Sequence, residues 1–186
     1  MNGIDEKPLF NPELLRQIDW SVRKSSFKDG ISPENPGKNL QLRPLMMDDY
    51  DQGFLNLLGQ LTSVGEVTAA AFQKRFLAMK HCPNTYYVVV LEDTNKQQVI
   101  GSATLVIEQK FIHSTGCRGR IEDVVVSEDY RGQQLGKLLV ETLTLLGKEV
   151  GCYKMSLECK EDNVRFYKCF GYTPDGQYFM VQRFSD

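Results

Sequence analysis

Alternating apolar and polar positions divide most of the chain into predicted helices and strands. Between Leu135 and Val150, apolar residues recur three and four positions apart, which predicts a helix over Gly136–Val150. The β-rich runs Tyr86–Leu91 and Val99–Gln109 are separated by a polar turn and predict an antiparallel hairpin. The other predicted strands are Leu40–Pro44, Gly119–Val126, Tyr153–Cys159 and Tyr178–Phe184, and the other predicted helices are Met47–Leu58, Thr68–Met79 and Asp162–Phe170. This order predicts an α/β fold in which helices cover a mixed β-sheet.

The first 39 residues differ from the rest of the chain. Pro12, Pro33 and Pro36 interrupt regular structure, and only a brief amphipathic piece lies between them. We therefore predict an N-terminal arm and linker over residues 1–39, which packs onto a single domain over residues 40–186. Trp20 is the only tryptophan, and we expect it to anchor the arm rather than to serve a functional site.

Composition narrows the classes of partner. The chain has 186 residues, 41% of them hydrophobic, and its net charge of −2 argues against a nucleic acid as the main partner. The five cysteines are odd in number and lack C-x-x-C spacing, which predicts reduced thiols and no structural zinc; with only two histidines, we expect no metal. The sequence has no apolar run of about 20 residues and no N-terminal pattern of a basic region followed by an apolar one, so we expect a cytoplasmic protein without a transmembrane segment.

The segment Ile121–Lys137 joins an apolar strand to a Gly-containing turn and the start of the long helix. The apolar end of the strand predicts burial on both faces. Backbone N–H groups and the positive end of a helix dipole make such a junction an anion site. The segment has neither the nucleotide P-loop spacing nor G-x-G-x-x-G. Taken alone, it fits a phosphate loop or an ordinary surface turn before a helix.

The run Arg131–Gly136 resembles the coenzyme A loop of the GNAT-type N-acetyltransferases, with Gln134 at the position of the family's first glycine and Gly132 two residues earlier. From about residue 40 to 184 the chain resembles, within that superfamily, the glucosamine-6-phosphate N-acetyltransferases. The matching blocks are Leu61–Gly65, Ile107–His113, Ile121–Val124, Arg131–Lys137, Gly151–Lys154, Leu157–Cys159 and Asn163–Tyr167. The resemblance implies a GNAT fold whose splayed strands form an acetyl-CoA cleft.

The resemblance also implies an activity and an assembly. The expected reaction transfers the acetyl group of acetyl-CoA to the amine of glucosamine 6-phosphate by direct attack, as a step of UDP-N-acetylglucosamine biosynthesis. The expected assembly is a homodimer that shares the strand Tyr178–Phe184, so that Arg183 reaches the substrate of the partner. Peripheral association with Golgi or endosomal membranes is compatible with the resemblance.

Site residues are carried over from the family position by position. The implied catalytic groups are Glu158 as base, Tyr167 facing the coenzyme A sulfur, and the backbone N–H near Val124, which polarises the thioester carbonyl. The implied cofactor-binding residues are Glu122, Asp123, Val124, Val125, Val126, Arg131, Gly132, Gln133, Gln134, Leu135, Gly136, Lys137, Asn163, Tyr167, Lys168 and Cys169. The implied substrate-binding residues are Thr62, Lys110, Phe111, Ile112, His113, Glu122, Asp123, Val124, Tyr153, Lys154, Glu158 and Arg183.

Elementary chemistry limits several of these roles. Glu122 and Asp123 are neighbours on one strand, so they point to opposite faces unless a bulge rotates one of them. Full proton transfer from a tyrosine to an unperturbed thiolate is uphill by about 2 kcal/mol, so a hydrogen bond from Tyr167 is the more economical role. Each residue also has a plain structural interpretation: Glu158 as an exposed carboxylate, Tyr167 as a core aromatic, and Asp162 or Asn163 as the cap of the last helix.

Two other functions fit the sequence. One is a GNAT enzyme that acetylates a peptide or protein amine, for which we expect an acidic groove. The other is an acyl-CoA-binding module without turnover. A cluster of cations, Lys110, His113, Arg118, Arg120, Lys154 and Arg183, in an otherwise acidic chain favours a small dianionic acceptor.

Overall fold

The computed structural model describes residues 7–28 and 30–184. Its sheet contains the strands β1 Leu40–Pro44, β2 Tyr86–Asp93, β3 Gln98–Gln109, β4 Cys117–Val126 and β5 Cys152–Leu157. The helices are α1 Glu13–Arg16, α2 Phe54–Gly59, α3 Ala69–Lys80, α4 Ile112–Thr115, α5 Leu135–Glu149 and α6 Val164–Lys168. The strands lie in sequence order, β1 to β4 antiparallel and β4 to β5 parallel. The predicted α/β fold with a mixed sheet is therefore confirmed.

Apolar side chains on the two faces of the sheet build two cores. On one face, the apolar stripe of α5, which includes Leu138, Leu139 and Leu143, packs against strand residues such as Ile100 and Leu105. All of these side chains are fully buried. On the other face, Phe54 of α2 and Phe72 and Phe76 of α3 pack onto the valines of β2 that point to this side of the sheet. The three-and-four spacing of α5 and the alternation within β2 therefore face opposite sides of the same sheet.

The predicted helix Met47–Leu58 is interrupted in the structure. A 3₁₀ turn over Met47–Tyr50 is followed by Gly53, whose φ of 85° lies in the left-handed region and ends the first turn before α2 begins. The turn is fixed by the buried carboxylate of Asp49, which accepts hydrogen bonds from the Met46 N–H at 2.7 Å and from the Arg43 guanidinium at 2.6 Å. Local caps therefore override the apolar periodicity of this segment.

Two predictions for the end of the chain are wrong. The last helix is shorter than predicted, because Glu161–Asn163 forms a 3₁₀ turn and α6 spans Val164–Lys168, and Asn163 gives no side-chain cap. The predicted strand Tyr178–Phe184 has no regular structure in the single chain. The side chains of Tyr178, Met180 and Phe184 are each at least 85% exposed. A strand needs a neighbour for its backbone groups, and the part of this chain that the structure describes supplies none at the tail.

The N-terminal arm crosses α5, and its residues 26–28 lie beside the start of that helix. Trp20 and Phe27 pack against each other with ring centroids 5.2 Å apart and lie against the core beneath α5. The carboxylate of Glu141, 1% exposed, accepts the backbone N–H of Lys24 at 2.9 Å and that of Ser25 at 3.1 Å, as well as the Ser25 hydroxyl. A buried carboxylate in the middle of the long helix thus holds the arm in place.

Candidate active site

Strand β5 ends half-way along β4. The two strands pair in parallel from Cys117 to Ile121, where Ile121 lies opposite Leu157, the last residue of β5. Beyond that point β4 continues to Val126, still paired with β3, and no described strand covers its other edge. The resulting cleft exposes the edge of Glu122–Val126. Val125 is buried in one core, and the half-buried Val124 and Val126 pack against the other, so both faces of this end of the strand meet apolar residues as predicted. The open part of β4 is its edge.

A β-bulge lies at the mouth of the cleft. Ser102 of β3 pairs with Val125 and Thr104 pairs with Glu122, so Ala103 alone stands opposite Asp123 and Val124. Asp123 has a φ of 53°, a left-handed value that is uncommon outside glycine. The bulge removes the strict alternation of the strand. It supplies the rotation that the sequence rule required before Glu122 and Asp123 could serve one site.

The loop before α5 forms the end of the cleft. Gly132 has a φ of 82° and Gln134 a φ of 63°, so Gln134 adopts the left-handed conformation for which glycine is favoured. The first N–H groups of α5 have no acceptor within the helix. A Cβ added at Gly136 would lie 3.8 Å from Val126 and 4.0 Å from Phe166, so this position faces the cleft wall. The side chain of Leu135 is buried, so only its backbone faces the loop.

Two charged residues of this loop form contacts within the protein. The ammonium of Lys137 contacts the carbonyl oxygen of Ser26 and lies 5.0 Å from the centre of the Phe27 ring. It therefore faces the arm, which differs from the prediction that Lys137 binds the cofactor. Arg131 is exposed and forms a 3.5 Å ion pair with Glu128. The loop consequently offers backbone N–H groups more than free cations.

Tyr167 lies on α6, on the other side of the cleft end. Its ring packs edge-on against Phe166 with centroids 5.0 Å apart, and it is half-buried. Burial, and secondarily the neighbouring Cys159, raises the pKa of Tyr167 above its usual value. The hydroxyl is therefore protonated at neutral pH and can donate a hydrogen bond, while complete loss of its proton becomes less favourable. The exposed side chains of Asn163, Lys168 and Cys169 lie at the two ends of the same helix.

The guanidinium of Arg120 pairs with two of the predicted site carboxylates, Glu122 and Glu158. Arg120 donates to Glu122 at 2.7 Å and to Glu158 at 2.8 Å, and all three side chains are partly exposed. The pairing links the upper part of β4 to the segment that follows β5, and it fixes the orientation of both carboxylates. The sequence placed Arg120 only among the cations, although its alternation with Glu122 on one strand was a usable signal. Asp123, at the bulge, is exposed.

The turn between β3 and β4 carries the predicted sugar-phosphate residues. Within α4, His113 and Ser114 have φ values of 54° and 57°, so the turn is left-handed there. The His113 ring stacks on Tyr153 with centroids 4.2 Å apart. The side chains of Phe111 and Ile112 are 97% and 63% exposed. The structure thus brings the His113 block and the Tyr153–Lys154 pair together.

Three further predicted substrate-binding residues, Lys110, Thr62 and Arg183, lie in different parts of the structure. Lys110 and Arg118 both bind Glu108, at 2.6 Å and 2.7 Å, and these hydrogen bonds, that of Lys110 first, hold the pKa of Glu108 below its usual value. Thr62 is exposed in the turn after α2, two residues from Gln60, whose side chain accepts the Glu128 N–H near the loop. Arg183 lies in the exposed tail and forms no ion pair with any described residue.

Comparison with known proteins agrees with this geometry. The model of the acetyltransferase (GNAT) family matches residues 48–172. The chain belongs to the GNAT acetyltransferase family. A probable glucosamine 6-phosphate N-acetyltransferase of Drosophila melanogaster is 49% identical over 185 residues, which is 98% of this chain and 84% of that protein. A glucosamine 6-phosphate N-acetyltransferase of Dictyostelium discoideum is 41% identical over 78% of this chain and 87% of that protein.

A solved structure extends the comparison to the fold. The crystal structure of the glucosamine-6-phosphate N-acetyltransferase of Arabidopsis thaliana superposes with a TM-score of 0.75 at 35% identity, covering 80% of this chain and all of that one. Within the GNAT family, the chain therefore groups with the glucosamine 6-phosphate N-acetyltransferases. Among the described residues, no helix is long and apolar enough to cross a membrane, and no cluster of three or more metal-ligating side chains occurs.

Proposed function

We propose that this GNAT chain transfers the acetyl group of acetyl-CoA to the amine of glucosamine 6-phosphate, yielding N-acetylglucosamine 6-phosphate and CoA for UDP-N-acetylglucosamine synthesis. The single observation that carries the proposal is the cleft where β4 leaves β5, which runs from the Arg120–Glu158 ion pair to the N-terminus of α5. The similarity of the chain to the Drosophila relative, which extends over 98% of this chain and 84% of that protein, supports the choice of sugar phosphate as acceptor.

The open end of the cleft fits acetyl-CoA. The freed edge of Val124–Val126 can pair with an extended amide-containing chain such as pantetheine, in the manner of an added strand. The backbone N–H groups around Gln134 and Gly136 are suited to the pyrophosphate, because the loop conformation and the absence of a side chain at Gly136 leave room there. When bound, acetyl-CoA supplies the thioester that is attacked.

Three groups of the chain would assist the attack. The N–H near Val124 would polarise the carbonyl from the freed strand edge, and the protonated hydroxyl of Tyr167 would donate a hydrogen bond to the departing sulfur. Glu158 would accept a proton from the amine through water. One of its carboxylate oxygens is occupied by the 2.8 Å contact with Arg120, so we assign it a modest share of the proton transfer.

The role of Glu158 can be tested by pH. Glu158→Gln keeps the size of the side chain and removes its charge, so we expect the loss of kcat/KM to be largest at low pH, where more of the substrate amine is protonated. Glu161→Gln, in the exposed turn before α6, is the matched control. An equal loss at every pH would assign Glu158 to positioning Arg120 instead.

We also propose a homodimer built on the tail. β5 is an edge strand, and the largely apolar tail Tyr178–Phe184 has no partner strand within the described chain. Pairing of the tail with the β5 edge of a second copy would satisfy both, and it would bring Arg183 to the His113–Lys154 surface of that copy. The free thiols favour the cytoplasm, and peripheral binding to Golgi or endosomal membranes stays an expectation.

Release of free thiol from acetyl-CoA tests the activity. Purified chain should release CoA when glucosamine 6-phosphate is added, and mass spectrometry should find the acetyl group on the sugar amine. Glucosamine without phosphate is the control acceptor, since it lacks the dianion that His113 and Lys154 would bind. Turnover only with peptide amines would indicate a protein acetyltransferase, and acetyl-CoA binding without turnover would indicate a binding module.

A further inference from the structure

Two thiols face each other at the beginning of β4 and β5. Cys117 and Cys152 are direct partners in the parallel ladder, and their sulfur atoms lie 3.7 Å apart. Neighbouring strands hold Cα atoms about 4.8 Å apart, which is within the span of a disulfide. The other three cysteines, Cys82, Cys159 and Cys169, are exposed and have no sulfur partner among the hydrogen bonds of the described residues.

The local backbone can move one thiol toward the other. Immediately after the pair, the ladder shifts register: Arg118 lies opposite Lys154, so Tyr153 is an extra residue on β5. Cys152 therefore lies between a bulge and the turn that ends α5. A rotation of the two side chains, with a small shift at this bulge, is enough to bring the sulfur atoms into bonding distance.

The pair is also reachable from solvent. Cys117 lines an open cavity of about 590 Å³ between the arm, the β2–β3 hairpin and the α4 turn, together with Leu14, Tyr87, Lys110 and Val150. Both thiols are partly exposed. Burial, followed by the hydrogen bond with Cys117, raises the pKa of Cys152 to about 12. Cys152 is therefore a thiol at neutral pH. Cys117 lies at the cavity wall, so it is the residue that an oxidant meets first.

We propose that Cys117 and Cys152 form a redox-active dithiol, which a peroxide closes to an intramolecular disulfide. Cys117 attacks the peroxide oxygen, which gives its sulfenic acid and water from hydrogen peroxide. The sulfur of Cys152 then displaces the hydroxyl of the sulfenic acid, forming the S–S bond and a second water. The two thiols lose two electrons and two protons, and the peroxide is reduced by two electrons.

Closure of the pair would act on the neighbouring substrate surface. Tyr153 follows Cys152 directly and stacks on His113, so movement of Cys152 shifts the bulge that positions this ring and Lys154. Resting on the proposed function, we expect oxidation to raise the KM for glucosamine 6-phosphate several-fold and to leave the affinity for acetyl-CoA unchanged, because the cofactor loop lies at the other end of β4.

Peptide mapping under native conditions tests the bond itself, independently of the sugar substrate. The full chain is treated with hydrogen peroxide, the remaining thiols are alkylated, and the digest is compared before and after reduction with dithiothreitol. The expected product links the Cys117 and Cys152 peptides, lacks two hydrogens, and disappears on reduction. Separate sulfinic acids at the two residues, or links to Cys82, Cys159 or Cys169, would overturn the proposal.

Serine variants separate the bond from its consequence. Cys117→Ser and Cys152→Ser should each abolish the linked peptide and any reversible change in KM, whereas Cys82→Ser, exposed at the end of α3, should abolish neither. Circular dichroism of each variant before oxidation checks the fold. A linked peptide without any change in the KM for glucosamine 6-phosphate would support the redox-active dithiol and contradict its effect on the substrate surface. Absence of the linked peptide from the folded wild-type chain would overturn the proposal whatever the kinetics.

Discussion

At the scale of the residue, the Tyr167 hydroxyl is the feature on which the chemistry can be tested most cleanly. Tyr167→Phe keeps the ring that packs on Phe166 and removes only the hydroxyl, so the fold and acetyl-CoA affinity should survive. A hydrogen bond made mainly to the departing sulfur acts on kcat, and we expect a fall of about tenfold, equivalent to about 1.4 kcal/mol. Single-turnover kinetics measures the chemical step directly.

The same helix region supplies a matched control. The Tyr172 hydroxyl lies 2.9 Å from that of Thr144 on α5, and the Tyr172 ring lies edge-on to that of Tyr167 with centroids 6.5 Å apart. Tyr172→Phe should therefore lower the free energy of unfolding by about 1 kcal/mol and leave kcat unchanged. An equal fall of kcat in both variants would trace the effect to packing, and an unchanged rate in Tyr167→Phe would leave the backbone N–H groups as the main catalytic device.

At the scale of the element, the start of α5 can be tested as an anion site. Gly136→Asp places a carboxylate where the helix N-terminus would meet the pyrophosphate, so we expect acetyl-CoA binding to weaken by at least about tenfold. Gly136→Ala is the control, because its Cβ would meet Val126 at an ordinary 3.8 Å. Isothermal titration calorimetry with acetyl-CoA compares the two. Equal affinities in both variants would exclude the loop from the site.

The contact between the arm and α5 is a second element with a measurable role. Glu141→Ala leaves the buried N–H group of Ser25 and the partly buried N–H group of Lys24 without acceptors, so we expect a loss of about 3 kcal/mol in the free energy of unfolding. Glu149→Ala, exposed near the end of the same helix, should change it by less than about 0.5 kcal/mol. Urea denaturation measures both values. Equal midpoints would show that the hydrogen bonds from the arm to Glu141 contribute nothing to the stability of the domain.

At the scale of the whole molecule, the tail decides the assembly. A chain that ends at Gln177 lacks the largely apolar tail Tyr178–Phe184 together with its Arg183. We expect it to sediment as a monomer, to retain acetyl-CoA binding and to lose most of its affinity for glucosamine 6-phosphate. Arg183→Ala should remain a dimer and show only the weaker sugar-phosphate binding. Sedimentation velocity with parallel kinetics checks both variants. A wild-type chain that is a fully active monomer at assay concentration would refute the shared tail.

The sequence alone determined the framework of this protein. The stripe of α5 and the alternation of β2 and β3 bury large apolar areas in one way only, so their positions followed from periodicity. The strand–loop–helix segment up to Gly136 predicted an anion site, because backbone N–H groups and a helix start favour a bound anion there. The matching motifs identified the family.

Only the tertiary structure decided how the site is assembled. The bulge at Asp123 depends on two strands of unequal local length, the capture of Lys137 by Ser26 brings together residues more than 100 positions apart, and the Arg120 pairs with Glu122 and Glu158 cross between β4 and the end of β5. The prediction of a strand at the tail was wrong because a strand needs a partner strand for its backbone groups, which the described single chain does not contain. Local patterns determine local structure, whereas pairing and charge neutralisation depend on which distant groups meet.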